Sequence, residues 1–414
     1  MLHINKLGAL LCLLPSLVFG QSTPTLSLDA ILQRIDSANI MLQLYGLKAE
    51  SYRYSADAAT GWMAPMFGAG TFMTPYPFQK LMDGSDKGSL MFRAEQDIPN
   101  RAKQQARKNF IASQANIELA SRAVTLNDYH AEAKRLYYGW MIAKQRINAL
   151  RQNEKIMATM KKIEELRYPY NQSSLGNIYK IDARIEENRN RISIQEGEID
   201  RSRAWLNTLM NRPEEDFDID TLDMPAFQPM IHDTALLSEV RGDVLRIDES
   251  IRSMQLNIQS TQQEKKPDFK VQLDHMHAFS PMMPKTFSVM GMVSIPIAPW
   301  ASKTYKSELK SMQLNVEALE KERSAVLQES RGRLSGLQYN ILHAQKRILA
   351  LENKIIPSLQ KSLDVNLLSY QENKLQAPVV IDSWEALNMM QLDLLDEKLN
   401  LYQTIVEYEK EIYR

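Results

Sequence analysis

Apolar residues recur at every third or fourth position over most of the chain, which is the spacing of one face of an α-helix. The pattern starts at Leu26 and continues to about Thr60. It resumes over residues 101–167, a range that contains no proline and one glycine. A helix of that length extends for roughly 100 Å at about 1.5 Å per residue, so it exceeds the thickness of a single globular domain.

This long helical range carries a coiled-coil seam, because four of its apolar residues follow a spacing of three, seven and three. These residues are Ile147, Leu150, Met157 and Met160. The stretch from Pro169 to Gly176 breaks the helix, and residues 177–212 return as a second helix. The sequence therefore predicts a long antiparallel helical hairpin over about 101–212.

Each helical hairpin is preceded by two short segments that predict β-strands. Three of them alternate between apolar and polar residues, which is the period of a β-strand with one apolar face, and Met66 to Met73 is the fourth candidate strand. In residues 89–98, for example, Leu90 and Phe92 fall on one face, and Met91 and Arg93 fall on the other. The four predicted strands cover about 66–73, 89–98, 268–277 and 286–295.

The order of helix, two strands and helical hairpin occurs twice along the chain. Ile98-Pro99 matches Ile295-Pro296 at an offset of 197 residues, and the helical break near Asp182 matches the one near Asp382 at an offset of 200. The predicted parts are a signal peptide (1–20), a first repeat (21–212), an acidic linker (213–234) and a second repeat (235–414). The hairpin of the second repeat covers about 302–413, and its first helix runs from about Ser302 to Tyr370. The predicted fold is mainly α with a small β part.

The N-terminal residues predict a secretory signal peptide. Lys6 precedes an apolar run from Leu7 to Leu14, which is too short to span a membrane as a helix, and we expect cleavage before Gln21. The alternative is a buried N-terminal helix. Cleavage removes Cys12, the one cysteine of the chain, so the sequence predicts neither a disulfide nor a cysteine-based zinc site.

Composition narrows the function further. The chain has only 15 glycines and 17 prolines in 414 residues, which favours few and long elements. It has 50 basic and 50 acidic residues and thus no basic excess of the kind that nucleic-acid binders carry. No apolar run of about 18 residues follows the signal peptide, so any membrane-spanning part would have to be a closed β-barrel.

Each predicted strand has the length of a tilted strand that crosses a membrane, about ten residues. Four strands are too few, because bacterial barrels have at least about eight, whereas three chains related by cyclic symmetry would contribute twelve. The side chains that would face the water inside are Arg93, Glu95, Lys270, Gln272 and Asp274. Trp62 and Trp300, at helix–strand junctions, would form an aromatic girdle. The alternative is two soluble β-hairpins packed on a helical bundle.

Four local stretches carry a resemblance to one family. They are Leu26-Ser27-Leu28-Asp29-Ala30-Ile31-Leu32 with Ala38-Asn39, Val240-Arg241-Gly242-Asp243-Val244, Ser294-Ile295-Pro296 with Trp300, and Leu175-Gly176 with Ile181-Asp182. In this order, and with the duplication, the chain resembles the TolC-like outer-membrane efflux proteins, although Gly242 stands where that family usually has proline.

The resemblance implies a homotrimer with a shared twelve-strand β-barrel in the outer membrane of a Gram-negative bacterium, continued by a long α-helical tunnel in the periplasm. It implies an exit duct with no cofactor and no catalytic residues. The partners that it implies are a periplasmic adaptor (membrane fusion) protein, an inner-membrane efflux pump of the resistance–nodulation–division type and outer-membrane lipid.

The resemblance also assigns roles to the ends of the helical hairpins. Asp382 and Glu385, three residues apart on one helical face, match the acidic pair that rings the periplasmic aperture in that family, and Asp182 matches the equivalent position in the first repeat. The basic residue that the family carries near the second tip has no counterpart here. The implied adaptor-docking tips are Ser174, Leu175, Gly176, Ala377 and Pro378. The alternative, on the residues alone, is that the acids are solvated charges near a helix start and that the tips are ordinary turns.

Methionine is abundant, with 22 residues in the chain, and it clusters in and beside the predicted strands. Thioether and imidazole groups are ligands that suit soft ions such as Cu(I) and Ag(I). The candidate soft-metal path consists of His275, Met276, His277, Met290 and Met292. It predicts a copper- or silver-exporting branch of the family, and the alternative is methionine as flexible apolar filler.

Other function classes fit the sequence less well. A periplasmic or surface coiled-coil protein with a structural or adhesive role would account for the helices but not for the duplicated strands. A periplasmic adaptor would need small β-rich domains with many more turn residues. An enzyme is not predicted, because the chain shows no Ser/His/Asp set, glycine-rich phosphate loop or metal-ligand spacing.

Overall fold

The structure is a computed structural model that describes residues 24–80, 83, 87–213, 215–221, 225, 227, 229, 234–296 and 299–413. The predicted signal peptide, including Cys12, and parts of the predicted linker lie outside these residues. In the part of the chain that the structure describes, no helix is both long enough and apolar enough to cross a membrane.

The helices are α1 (Leu28–Ala38), α2 (Ile40–Ala58), α3 (Arg101–Arg167), α4 (Leu175–Leu209), α5 (Thr234–Val240), α6 (Gly242–Gln263), α7 (Pro299–Ala350), α8 (Ile356–Gln371) and α9 (Ala377–Glu411). Side-chain oxygens of Ser27, Asn39 and Asn100 accept backbone N–H groups in the first turns of α1, α2 and α3. The 67 residues of α3 have the predicted limits, since its cap follows one proline directly and no other proline interrupts it.

The prediction of one continuous helix from about Ser302 to Tyr370 is wrong. A π-helical turn at Leu351–Ile355 separates α7 from α8. Pro357 explains the interruption, because proline has no backbone N–H and its ring clashes with the carbonyl four residues earlier. The N–H of Ile356 instead donates to the carbonyl of Leu351, five residues back, so the chain takes up one extra residue before the proline.

The strands are β1 (Thr25–Leu26), β2 (Met66–Phe72), β3 (Ser89–Ile98), β4 (Asp218–Ile219), β5 (Asp268–Ala278) and β6 (Thr286–Ser294). Four of them form one antiparallel sheet in the order β2-β3-β5-β6, so both halves of the chain contribute to it. Within the described residues β2 and β6 are its edges and pair on one side only. β1 and β4 pair in parallel, which ties the start of the described chain to the linker.

The strand register places the predicted water-facing residues on one face of the sheet. Arg93 lies opposite Asp274, and their Nε and Oδ1 atoms are 2.8 Å apart. Lys270 Nζ is 3.4 Å from a carboxylate oxygen of Glu95, and Gln272 Nε2 donates to Asp274 over 2.7 Å. The opposite face carries exposed apolar side chains, which include Phe92, Phe269, Val271, Leu273, Phe287 and Val289.

The helix α3 is the centre of the helical part. Near the sheet it packs against α2 and α6, and α6 packs against α7. Farther from the sheet it packs against α4 and α9, and α9 packs against α8. The chain thus forms a row of helices that continues the four strands, ordered α2-α3-α6-α7 near the sheet and α4-α3-α9-α8 at the far end.

Buried apolar side chains form two separate clusters along this row. The shaft cluster includes Ile31, Leu42, Tyr137, Trp140, Ile142, Leu206, Phe217, Val244, Leu334, Ile348, Leu395 and Tyr402. The tip cluster consists of Met157, Met160, Ile181, Ile185, Leu363, Tyr370, Ala377, Val380, Ile381, Trp384 and Leu387. The tip cluster holds the ends of the two helical hairpins together.

Candidate functional site at the helical-hairpin tips

The two helical hairpins end in turns of similar construction. The first passes from α3 through a 3-10 turn at Tyr168–Tyr170 to α4, and the second joins α8 to α9. Asn171 and Asn373 lie in these turns with φ of 57° and 60°. Asparagine tolerates this left-handed conformation better than most residues, so each turn reverses the chain within a few residues.

A hydrogen-bond network joins the two tips. The tip network consists of Glu164, Arg167, Ser173, Asn177 and Tyr370. The Glu164 carboxyl group accepts hydrogen bonds from the hydroxyls of Ser173 and Tyr370. It also accepts one from Asn177 Nδ2 over 3.2 Å. Residues from α3, the first turn, α4 and α8 therefore converge on one carboxyl group.

Arg167 completes the network from the end of α3. Its Nη2 donates to the backbone carbonyl of Tyr370 over 2.8 Å, and its guanidinium carbon lies 4.5 Å from the centre of the Tyr370 ring. The basic residue that the family resemblance led us to expect near Pro378 has no counterpart there, although Lys374, in the turn between α8 and α9, pairs with Glu372 over 2.7 Å. Arg167 brings a basic group to that tip from the first hairpin.

The centre of the network is shielded from water, since Glu164 is 2% exposed and Tyr370 is 1% exposed. Burial raises the pKa of the Tyr370 phenol well above its ordinary value, and the hydrogen bond to Glu164 raises it further. The phenol therefore stays protonated at physiological pH and keeps its proton to donate. Separating the tips would leave polar groups unpaired, which costs about 1–3 kcal/mol for each group that stays buried.

The three predicted aperture acids lie on the same end of the molecule, outside the tip network. Asp182 Oδ1 is 2.5 Å from Lys161 Nζ, and Glu385 Oε1 is 2.6 Å from Arg184 Nη2. Asp382 is exposed and makes no ion pair within the described residues. The ring of carboxylates implied by the resemblance would require further copies of the chain and stays a prediction.

The predicted docking residues differ in accessibility. Ser174 and Gly176 are exposed, and Leu175 is 43% exposed, so the first tip offers a free surface. Ala377 is only 3% exposed and belongs to the tip cluster. Its prediction as a contact residue is corrected, because its side chain packs inward, whereas Pro378 beside it is half-buried.

The sheet separates the five residues of the candidate soft-metal path. Met290 and Met292 lie opposite Gln272 and Lys270 on the polar face, and Met276 shares that face. His275 and His277 lie on the apolar face, because consecutive residues of a strand point to opposite sides. The five residues therefore do not form one site. Among the described residues, no group of three or more His, Cys, Asp or Glu side chains is arranged to hold a metal ion.

The two predicted girdle residues are at the junction of strands and helices. Trp62 precedes β2 and is 63% exposed, and Trp300 is in the first turn of α7 and is 80% exposed. Their indole rings are thus accessible at the molecular surface, where the sheet meets the helices.

The residues that join the tips are not among those predicted from the sequence. Glu164 follows Met157 and Met160 at helical spacing, so a charged residue continues the seam of apolar residues. A charged side chain on a buried helix face needs a hydrogen-bonding or ionic partner. The placement of Glu164 on the apolar seam therefore indicates a buried polar contact. Nothing local pointed to Tyr370, which is 206 residues away along the chain.

Comparison with known proteins supports one fold. No protein-family profile and no curated protein sequence matches the chain. Solved structures match over nearly its whole length. The outer-membrane channel OprN shares 13% identity with a TM-score of 0.75, covering 93% of this chain and 89% of its own. CusC shares 13% identity with a TM-score of 0.76, and the match covers 93% of this chain and 91% of CusC.

The outer membrane protein VceC of Vibrio cholerae is similar to the same extent, with 13% identity, a TM-score of 0.71 and coverage of 93% of this chain and 95% of its own. At this level of identity the likeness concerns the fold. The chain thus has the fold of outer-membrane channels, and the TolC-like fold predicted from the sequence is confirmed. The copper or silver branch stays a prediction.

Proposed function

We propose that this protein is the outer-membrane exit duct of a tripartite efflux system in a Gram-negative bacterium. Three copies form the duct, with a shared twelve-strand barrel in the outer membrane and a helical tunnel in the periplasm. A periplasmic adaptor and an inner-membrane pump, of the resistance–nodulation–division type, deliver substrates at the hairpin tips. The duct performs no covalent chemistry.

The observation that carries this proposal is the four-stranded sheet next to a row of helices, whose two edge strands pair on one side only within the described residues. The outer sides of β2 and β6 offer backbone groups that need hydrogen-bond partners. Three copies around a threefold axis would pair β6 of one chain with β2 of the next and leave no edge. Leu47 on α2 and Leu314 on α7, 66% and 51% exposed, would then lie at the same junction between chains.

The two faces of the sheet support a lipid-spanning role. The apolar face would contact lipid, and the face with the Arg93–Asp274 and Lys270–Glu95 ion pairs would line the water-filled pore. In this arrangement the charged side chains on the polar face form ion pairs with one another and stay in contact with water. The fold shared with outer-membrane channels agrees with this orientation.

The tip network gives the duct a closing contact at its periplasmic end. Glu164 and Tyr370 hold the first hairpin against the second, so an opening that separates the hairpins has to break this hydrogen bond. The exposed Tyr170 and Leu175 at the first tip, with 75% and 43% exposure, offer the adaptor an aromatic and aliphatic contact surface. Docking there would favour the open state if the adaptor binds it more tightly than the closed state.

The test is reconstitution of the purified mature protein in detergent, followed by planar-bilayer recording. We expect a trimer that dissociates only on heating and that conducts ions. A chain that is monomeric and soluble without detergent would refute the proposal and favour a coiled-coil structural or adhesion protein.

A matched pair of variants tests the orientation of the sheet. Val289 and Met290 are neighbours on opposite faces of β6, with 63% and 49% exposure. Val289→Arg would place a charge in lipid, at about 2–4 kcal/mol near the midplane, and should abolish membrane insertion. Met290→Arg should insert normally and shift the ion selectivity towards anions. Equal tolerance of both variants would contradict the assignment of the faces.

The cargo is a separate part of the proposal. Soft metal ions are favoured only by the methionines on the polar face, among them Met276, Met290 and Met292. Deleting the protein should then raise sensitivity to copper or silver. Unchanged metal tolerance together with new sensitivity to dyes or detergents would point to organic substrates.

A further inference from the structure

Two histidines are the only ionisable side chains that β2, β3, β5 and β6 place on the apolar face of the sheet. His275 lies between Phe92 on β3 and Phe287 on β6. His277 lies beside Leu90 on β3. The opposite, polar face carries the carboxylates of these strands, which are Glu95, Asp97, Asp268 and Asp274. The apolar face thus combines two basic side chains with no acidic one.

Both histidines lie at the end of this face that is farthest from the helices. Phe269, at the helix end of β5, is eight residues before His277, which is about 27 Å along the strand at about 3.4 Å per residue. A strand tilt of about 40° reduces this distance to about 21 Å along the membrane normal, close to the height of about 25 Å of the apolar band of outer-membrane barrels. In the proposed duct, His277 therefore lies where the hydrocarbon ends and the headgroups of the outer leaflet begin.

A lysine adds a positive charge at the same level. Met276 pairs with Thr286, so the next position of this register brings Lys285, which directly precedes β6, opposite His277. His275, His277 and Lys285 are exposed and form no ion pair with another residue that the structure describes. These three residues are the outer rim. Their basic groups are therefore available to a ligand that carries negative charge.

We propose that the outer rim binds the anionic phosphate headgroup of a lipid in the outer leaflet. This site rests on the proposed function, because it requires the apolar face to contact lipid. The Lys285 ammonium would attract the phosphate, and an imidazole N–H of His277 would donate a hydrogen bond to a phosphate oxygen. Imidazole suits this boundary, since it presents an apolar body to the hydrocarbon and a polar tip to the headgroups.

The surface next to the outer rim indicates that the ligand has an acyl chain. Phe287 lies beside His275 and is 74% exposed. Val289 and Leu273, which are 63% and 46% exposed, continue the apolar face towards the helices. An acyl chain would cover these side chains while its headgroup stays at the outer rim, whereas free phosphate would leave them uncovered. The absence of carboxylates from this face of the four strands removes the repulsion that an anionic lipid would otherwise meet.

Native mass spectrometry of the purified mature protein in detergent tests the site. The protein is equilibrated with equal amounts of phosphatidylglycerol, which is anionic, and phosphatidylcholine, which is zwitterionic. We expect the wild type to retain phosphatidylglycerol at least about tenfold more often, because each basic group near a membrane surface strengthens binding of anionic lipid by roughly fivefold. The combined variant His275→Phe, His277→Phe and Lys285→Gln should reduce this preference to less than about twofold.

The matched control combines His343→Phe with Lys354→Gln. Both residues are exposed on the helical part of the chain, outside the sheet, so the control should keep the wild-type preference. If the combined variant at the outer rim does not fold, Lys285→Gln alone decides the matter, and it should lower the preference about fivefold.

Two results would overturn the site. The first is equal retention of the two lipids by the wild type. The second is a rise in melting temperature with inorganic phosphate alone that equals the rise with phosphatidylglycerol, because it would assign the outer rim to a free ion. Bilayer recordings on the same sample separate the two proposals: conduction without a lipid preference retains the duct and removes the lipid site, whereas a chain that stays soluble without detergent removes the duct.

Discussion

If the protein is the proposed exit duct, removing one hydroxyl group from the tip network should open it. Tyr370→Phe keeps the aromatic ring in the tip cluster and deletes the donor to the buried Glu164. A hydrogen bond to a charged group contributes about 1.5–3 kcal/mol. If the closed state has this bond and the open state lacks it, each protomer shifts the equilibrium towards the open state by roughly ten- to a hundredfold.

The assay is the open fraction of single ducts in planar bilayers. We expect wild-type ducts to open rarely, and Tyr370→Phe ducts to be open at least about ten times more often. The shift in the open fraction should be steeper than for a single bond, because the proposed trimer would contain three tip networks.

The matched control is Tyr402→Phe. Tyr402 is also buried, at 5% exposure, and lies on α9 within the shaft cluster, away from the tips. It should leave the open fraction unchanged. If Tyr370→Phe lowers the melting temperature as Tyr402→Phe does but leaves the open fraction at the wild-type level, the network is structural and the gating argument is wrong.

Three further predictions concern stability. Gly242→Ala places a Cβ 2.8 Å from the Tyr413 ring and should lower the free energy of unfolding by about 1–3 kcal/mol, measured by thermal unfolding. Gly139→Ala is the control, because its Cβ meets open space, and it should be neutral or stabilising. Equal effects of the two variants would contradict the steric explanation. Burial raises the pKa of Tyr413 from its ordinary value of about 10 to about 12. The stability that the protonated phenol contributes is therefore complete below about pH 10 and should fall as the pH rises towards 12. Tyr413→Phe should flatten that part of the stability profile, and an unaltered profile would assign the loss to other groups. Asn153→Leu leaves the buried Asn388 side chain without its hydrogen-bond donor and should destabilise the protein by about 1–3 kcal/mol, whereas adding Asn388→Leu should recover most of that loss. A double-mutant cycle without coupling would show that the two side chains act independently.

The sequence was most informative where a local pattern alone decides the structure. The ends of α3 follow from an asparagine cap after Pro99, from Pro169 and from the absence of any breaker between them. The strands follow from the alternation of apolar and polar residues. The same alternation already places His275 and His277 on the face opposite Met276, so these three side chains do not face one site. Pro357 likewise marked the break between α7 and α8.

What the sequence determined by itself was the set of elements and the apolar face of each, because backbone geometry repeats every 3.6 or 2 residues and these periods are written in the residue order. The tertiary structure decided which elements meet. Only the packed helices place Glu164 within reach of Tyr370 and Asn153 within reach of Asn388 and Gln391. These contacts join residues that are up to about 240 positions apart, and no local period encodes such pairings.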